Sequence, residues 1–173
     1  MHSATPEFRP FRVHLLTVTD TRSPDEDGSG AYLAKALQTA GHVLHARAWC
    51  RDELYDIRAR VSAAIADPQI DIVLITGGTG MFDRDVTSDA VEILLDRVVP
   101  GFGEMFRAAS LQEVGMSTIQ SRAVAGIANQ TLIFCLPGST GACRTAWEKI
   151  IAPQLNPHIN GYGFTRVFNA WGR

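Results

Sequence analysis

The sequence lacks the basic excess that nucleic-acid-binding surfaces usually carry. Its 173 residues contain 16 Lys and Arg against 18 Asp and Glu, a net charge of −2. Long apolar runs are also missing. No stretch approaches the roughly 18 apolar residues of a membrane span, and the first ten residues contain no apolar signal-peptide core. We therefore expect a cytoplasmic protein with neither a nucleic acid nor a membrane as a partner.

Cysteine is scarce, and several catalytic motifs are absent. Cys50, Cys135 and Cys143 form no CxxC pair, which argues against a structural zinc site. Cys50 and Cys135 lie in apolar runs, where reduced cysteine behaves as a small hydrophobic residue. The sequence contains no HExxH, no Walker A loop and no complete GxGxxG. These absences argue against a zincin, a P-loop NTPase and a Rossmann dinucleotide-binding protein.

Short apolar strands alternate with helical patterns along the chain. Strands are predicted over 12–19, 42–50, 71–76 and 131–136, and helices over 31–40, 55–66, 87–98, 103–114 and 142–151. Ser29 is the expected cap of the first helix, and Pro153 the expected stop of the last. A turn and a short strand are expected within 117–129. This alternation favours an α/β fold with a parallel sheet covered on both faces.

The length fits one domain. We predict a flexible arm over 1–10, the α/β domain over 11–156 and a tail over 157–173. Apolar residues in the tail are candidates for subunit packing: Phe164, Val167, Phe168 and Trp171.

Two glycine-rich turns follow predicted strands. The first, Gly77-Gly78-Thr79-Gly80, has three glycines in four residues. Glycine permits positive φ and close backbone approach, and successive N–H groups in such a turn form an anion site. A tight turn without a ligand is the alternative, and the glycine density favours a site. The second, Pro137-Gly138-Ser139-Thr140, is explained either by ligand contact or by helix capping alone.

Acidic residues follow the same strands. Asp20, Asp52, Asp83 and Asp85 are expected near the carboxyl edge of the sheet, where α/β proteins bind ligands. Mg²⁺ binds through one or two carboxylates plus substrate phosphates, although a lone loop Asp is usually a turn residue. Arg122, after Ser121, fits either an anion contact or a surface salt bridge.

The combination of motifs resembles a known family. The runs TGGTG, RDVTSDA, PGFGE, QSRAVAG and LPGST are similar to the MoaB/MogA family of molybdenum cofactor biosynthesis, closer to MoaB, over roughly 11–155. The resemblance implies a three-layer α/β/α fold with a mostly parallel sheet. It implies binding of molybdopterin and adenylylation of its phosphate with ATP and Mg²⁺ ahead of metal insertion. A non-catalytic carrier or regulatory protein is the alternative.

The resemblance also implies partners and site residues. Members form trimers or hexamers, and a downstream metal-insertion protein is a possible partner. Asp85 of RDVT and Asp52, with Glu53 as a competitor, are the expected catalytic pair and Mg²⁺ ligands. Thr19 and Ser88 depart mildly from the family pattern, which usually has Ser and Pro there. The expected substrate and nucleotide contacts are Asp20, Gly77, Gly78, Thr79, Gly80, Thr87, Ser121, Arg122, Pro137, Gly138, Ser139 and Thr140.

Overall fold

The structure, a computed structural model, describes residues 7–159 and 162–172. Within these residues six strands form one sheet in the order β2-β1-β3-β6-β5-β4. The strands β2, β1, β3 and β6 are parallel, β5 is antiparallel to β6, and β4 is antiparallel to β5. The strand bounds are β1 (Arg12–Val18), β2 (Val43–Cys50), β3 (Ile72–Thr76), β4 (Arg97–Val98), β5 (Val124–Ala128) and β6 (Thr131–Leu136).

Helices cover both faces of this sheet. On one face Leu33, Phe102 and Trp147 are buried in one hydrophobic cluster. On the other face Ile57 and Val91 are buried in a second cluster. The predicted three-layer α/β/α fold with a mostly parallel sheet is therefore confirmed. The helix bounds are α1 (Gly28–Thr39), α2 (Leu54–Ala66), α3 (Thr87–Glu92), α4 (Pro100–Val114), α5 (Thr140–Ala146), α6 (Ala152–Leu155) and α7 (Phe164–Ala170).

The central strand β3 shows why these segments read as continuous apolar runs. Its five residues are all buried. Ile72 and Leu74 pack into one hydrophobic cluster, and Val73 and Ile75 pack into the other. A strand covered on both faces has no solvent side on which to place polar residues. The result is a rigid strand that carries Gly77 at its carboxyl end.

Helix α1 begins with a buried carboxylate rather than with the predicted cap. Asp27 is the N-cap residue, and its side chain accepts the Gly30 N–H at 2.8 Å. Ser29 lies inside the helix and donates its hydroxyl to Asp27 at 3.1 Å, so the predicted Ser29 cap is wrong. Three more groups donate to the same carboxylate: the Thr17 hydroxyl at 2.7 Å, the Arg47 guanidinium at 3.0 Å and the Trp49 indole at 3.0 Å. These tertiary contacts decide where the helix starts.

The predicted helix over 87–98 is wrong in its second half. Helix α3 ends at Glu92, and Arg97–Val98 form the edge strand β4. The Asp96 N–H donates to the Ile127 carbonyl at 2.9 Å. Pairing with β5 therefore overrides the local helical pattern.

The last predicted helix runs through Pro153 and ends at Leu155, close to the expected stop. Helix α5 continues through a π-helical stretch, Trp147–Ile151, into α6, which contains Pro153 in its first turn. Proline lacks an N–H donor and clashes in a regular helix. The wider turn before Pro153 accommodates it.

Side chains near the two ends of the described chain meet on one face of the sheet. Phe168 of α7 is buried, and its ring lies 4.6 Å from that of Phe11. Trp171 packs edge-on against Phe168 at 5.2 Å. These tail side chains therefore complete the core of their own chain. Positions 1–6 of the predicted arm lie outside the described residues. No described helix is long and apolar enough to cross a membrane.

The Asp27 network yields a stability prediction. Burial raises the pKa of Asp27, but the hydrogen bonds from Thr17, Gly30, Arg47 and Ser29 outweigh burial and leave it below the usual value. The stabilisation is thus present above the unfolded-state pKa and is lost as pH falls through the folded-state pKa. Asp27→Ala also leaves buried donors unpaired. We expect it to lower the free energy of urea unfolding by about 3–5 kcal/mol.

The matched control is Asp25→Ala, because Asp25 is exposed two residues earlier. That variant should unfold at nearly the wild-type urea concentration. Equal unfolding midpoints for the two variants would show that the network contributes nothing.

Candidate functional site

A cavity of about 560 Å³ lies at the carboxyl ends of β1, β2, β3 and β6. It is bounded by the loops that follow these strands, as expected for an open α/β sheet. The predicted site residues that line it are Asp20, Asp52, Gly77, Gly78, Thr79, Gly80, Asp85, Ser121, Pro137, Gly138 and Ser139. The structure thus brings both glycine-rich turns and three of the acidic residues into one place.

The first glycine-rich turn has no room for side chains. Gly77 has φ +108°, and a Cβ there would lie 2.1 Å from the Val18 carbonyl oxygen. Gly78 has φ +65°, and a Cβ there would lie 2.3 Å from the Thr87 hydroxyl and 2.7 Å from Asp52 Oδ2. Only glycine fits these two positions.

Neighbouring backbone anchors this turn. The Gly77 N–H donates to the Leu136 carbonyl, and the Gly78 carbonyl accepts the Thr87 N–H, both at 2.9 Å. The N–H groups of Gly78, Thr79 and Gly80 donate to no acceptor within the described part of the chain. The turn therefore offers a row of backbone donors to a ligand in the cavity.

Asp52 lies half-buried beside this turn. Its Oδ1 accepts the Val86 N–H at 3.2 Å, and its own N–H donates to Asp20 Oδ1 at 3.1 Å. Burial raises the pKa of the Asp52 carboxyl, and the nearby Asp85 and Asp20 carboxylates raise it further, against the effect of the Val86 hydrogen bond. A bound cation would relieve this unfavourable charge.

Asp85 lies beside the last glycine of the same turn. Its Oδ2 accepts the Phe82 N–H at 2.9 Å, and a Cβ on Gly80 would lie 2.5 Å from the same oxygen. Glu53, the competitor of Asp52, is exposed outside the cavity and pairs with Arg84 at 3.2 Å. The geometry therefore places Asp52, rather than Glu53, in the cavity with Asp85.

The donor set fits Mg²⁺ in one specific way. The described residues contain no group of three or more His, Cys, Asp or Glu side chains arranged to hold a metal. Two carboxylates that face one cavity are the usual protein share of a Mg²⁺ site completed by phosphates and water. Asp52 and Asp85 thus suit a metal that arrives with a phosphate ligand.

Three predicted contacts lie outside the cavity lining. Arg122 donates to the Gly80 carbonyl at 2.8 Å, to the Asp85 carbonyl and to the Asp89 carboxylate at 2.8 and 2.9 Å. Of the two predicted roles of Arg122, the salt bridge is the one observed. The hydrogen bonds from its guanidinium to the Gly80 and Asp85 carbonyls clamp the loop that carries Asp85. Thr87 is buried behind Gly78, and Thr140 is exposed in the first turn of α5.

The second glycine-rich turn serves two roles at once. Ser139 is the N-cap of α5 and accepts the Ala142 N–H at 3.2 Å. It also lines the cavity with Pro137 and Gly138. Capping and cavity lining are therefore compatible. Beneath the turn, burial raises the pKa of Cys143 to about 11, which makes it a poor nucleophile.

Sequence reasoning missed several lining residues. They are Val18, Thr19, Thr21, Arg22, Phe82, Ser117 and Gln120. The first four end or follow β1, so they lie at the same carboxyl edge of the sheet as Asp20. Ser117 and Gln120 come from a 3-10 turn after α4, and of these two only Gln120 belongs to one of the family runs, QSRAVAG.

Comparisons with known proteins agree with this architecture. The family described as "Probable molybdopterin binding domain" matches residues 14–157. The molybdenum cofactor biosynthesis protein B of Escherichia coli K12 is 53% identical over 164 residues, which cover 95% of this chain and 96% of that protein.

Solved structures show the same relationship. The crystal structure of a molybdenum cofactor biosynthesis protein B superposes with a TM-score of 0.87 at 37% identity, covering 95% of this chain and 99% of the other. The tungsten cofactor synthesizing protein MoaB from Pyrococcus furiosus has a TM-score of 0.75 at 30% identity, with coverages of 95% and 96%. The chain therefore belongs to the MoaB/MogA family of molybdenum cofactor biosynthesis proteins.

Proposed function

We propose that this protein acts in the cytoplasm in molybdenum cofactor biosynthesis, where it binds molybdopterin and adenylylates its phosphate with Mg-ATP ahead of metal insertion. The observation that carries the proposal is that Asp52, beside Gly78, and Asp85, beside Gly80, line one cavity. Family membership supports molybdopterin as the substrate. A homotrimer or hexamer and a downstream metal-insertion partner belong to the same proposal.

The proposed reaction joins two polyanions. A phosphate oxygen of molybdopterin attacks the α-phosphorus of ATP, a new P–O bond forms, and the bond to the β-phosphate breaks as pyrophosphate leaves. The attacking phosphate is already ionised near neutral pH, so no general base is required. Catalysis then depends on positioning and on neutralisation of charge.

The cavity supplies both requirements. The N–H groups of Gly78, Thr79 and Gly80 are positioned to donate to phosphate oxygens. Asp52 and Asp85 would hold Mg²⁺, which neutralises phosphate charge when bound. The clamp formed by Arg122 fixes the loop between Gly80 and Asp85. These contacts hold the backbone of the loop that carries Asp85.

The alternative is a protein that carries or senses molybdopterin without turnover. Both functions need the cavity, but only the enzyme needs a metal beside the nucleotide. Incubation of the purified protein with molybdopterin, ATP and Mg²⁺, followed by detection of adenylylated pterin, separates them. Tight pterin binding without product would favour the carrier.

Asp85→Asn tests the metal role. The substitution keeps the size of the side chain and an oxygen that accepts the Phe82 N–H, but it removes the charge that would bind Mg²⁺. We expect loss of adenylylation by at least about 100-fold with molybdopterin binding retained. The measurement is product formation together with pterin binding.

Asp83→Asn is the matched control, since Asp83 is exposed two residues away and does not line the cavity. It should keep wild-type activity. Full activity of Asp85→Asn would refute the assigned metal role.

Asp52→Asn should stabilise the fold while it abolishes activity. Because the folded-state pKa of Asp52 is raised, the folded protein retains a proton that the unfolded chain loses. This contribution to stability therefore falls as pH rises from the unfolded-state pKa through the raised folded-state pKa. Above that range the ionised carboxylate destabilises the fold. The asparagine oxygen can still accept the Val86 N–H. We expect a higher Tm than wild type at pH 7 in EDTA.

The Tm difference should shrink or reverse when Mg²⁺ and ATP are added, because only the wild type gains a ligand. Asp83→Asn again serves as the control. A lower Tm for Asp52→Asn in EDTA would contradict the inference that the ionised Asp52 carboxylate destabilises the fold.

A further inference from the structure

The cavity contains a single basic side chain among its described lining residues. Three carboxylates line it, those of Asp20, Asp52 and Asp85. The lone cation is Arg22, which lies in the loop after β1. A cavity that receives two phosphate-bearing reactants needs more positive charge than one Mg²⁺ bound to two carboxylates provides. Among the described lining residues, only Arg22 can add that charge.

Two other arginines near the cavity are already occupied. Arg84 donates to Asp20 Oδ2 at 2.7 Å and to Glu53 Oε1 at 3.2 Å. Arg122 donates to Asp89 and to the carbonyls of Gly80 and Asp85. Neither lines the cavity. Each has its charge paired with a carboxylate of this chain, so neither is available to a ligand without loss of that pair.

Arg22 is held in place but keeps unused donors. Its backbone N–H donates to the Thr19 hydroxyl at 3.2 Å, which fixes the loop. One guanidinium nitrogen, Nη1, donates to the Gly138 carbonyl at 2.9 Å. The described residues offer no hydrogen-bond partner to Nε and Nη2. The guanidinium thus keeps a two-nitrogen edge free while Nη1 is tied to Gly138, and such an edge suits a phosphate group.

The charges divide the cavity into two parts. Asp52 and Asp85 lie at the Gly77–Gly80 turn, where a metal would enter with the triphosphate. Arg22 is tied to the other turn, Pro137–Thr140. A reactant phosphate that comes without a metal is repelled from the first part and attracted to the second. In the proposed reaction that reactant is the phosphate monoester of the pterin.

We propose that Arg22 binds the phosphate of the pterin substrate and positions it for attack on the nucleotide. This assignment rests on the proposed function, and it deepens that function by separating the metal-dependent and metal-independent phosphate positions. Arg22 is a positioning residue for the attacking group. Its contribution should therefore appear in pterin binding when no metal is present.

The test measures binding of molybdopterin and of its dephosphorylated form in EDTA, under anaerobic conditions, by quenching of tryptophan fluorescence. Arg22→Gln should weaken molybdopterin binding by about 10- to 100-fold, as expected for loss of charge-assisted hydrogen bonds. The dephosphorylated pterin should bind wild type and Arg22→Gln equally. Arg22→Lys should restore part of the affinity, because it keeps the charge but loses the planar fork.

Arg97→Gln is the matched charge control. Arg97 is exposed in β4, outside the cavity, and the substitution changes net charge by the same amount. It should bind both pterins like the wild type. Unchanged molybdopterin binding by Arg22→Gln would overturn the assignment. So would equal weakening for both pterins, because a merely structural role of the Gly138 contact predicts that result. Selective weakening of ATP binding by Arg22→Gln would overturn it as well.

The readout is independent of turnover. If the wild type binds molybdopterin in a phosphate- and Arg22-dependent way but forms no adenylylated product, adenylyl transfer is refuted and the assignment of Arg22 stands. If product forms and Arg22→Gln binds and reacts like the wild type, the enzyme stands and the assignment of Arg22 falls.

Discussion

The site depends on the close approach of Gly77 to β1. The Gly77 backbone lies so near the Val18 carbonyl that a Cβ would be 2.1 Å from its oxygen. This approach is possible because β1 and β3 are adjacent and parallel, with Thr17 paired to Thr76 at their ends. The Gly77 N–H also donates to Leu136 at the end of β6. Three strands thus fix one turn, and the core beneath them cannot shift without moving the site.

Negative charge is concentrated at this turn at a cost to stability. Asp52 is half-buried, and its pKa is raised first by this burial and then by the nearby Asp85 and Asp20 carboxylates. Other contacts hold the arrangement together: Asp52 accepts the Val86 N–H, and Arg84 bridges Asp20 and Glu53. Strain of this kind is characteristic of sites that bind a cation or act in catalysis. A purely structural turn would gain nothing from it.

The sequence predicted the parts that depend on local chemistry. Apolar runs predict the buried strands β3 and β6, and the glycines after β3 predict a tight turn. Few other residues tolerate burial on both faces or a positive φ. Prediction from the sequence failed where residues far along the chain determine the structure. Strand β4 forms because Arg97 and Val98 pair with β5, and α1 begins at Asp27 because β1 and β2 supply donors. Arg122 and Arg22 likewise acquire their roles from partners far along the chain.

The departures from the family pattern are explained by hydrogen bonds. The Thr19 hydroxyl accepts the N–H groups of Thr21 at 3.3 Å and Arg22 at 3.2 Å. A serine hydroxyl offers the same acceptor, so threonine preserves the loop that carries Arg22. Ser88 replaces the usual proline, and its hydroxyl donates to the Arg122 carbonyl at 2.7 Å. Proline has no such donor. Serine therefore adds a hydrogen bond between α3 and Arg122, the residue that holds the Asp85 loop.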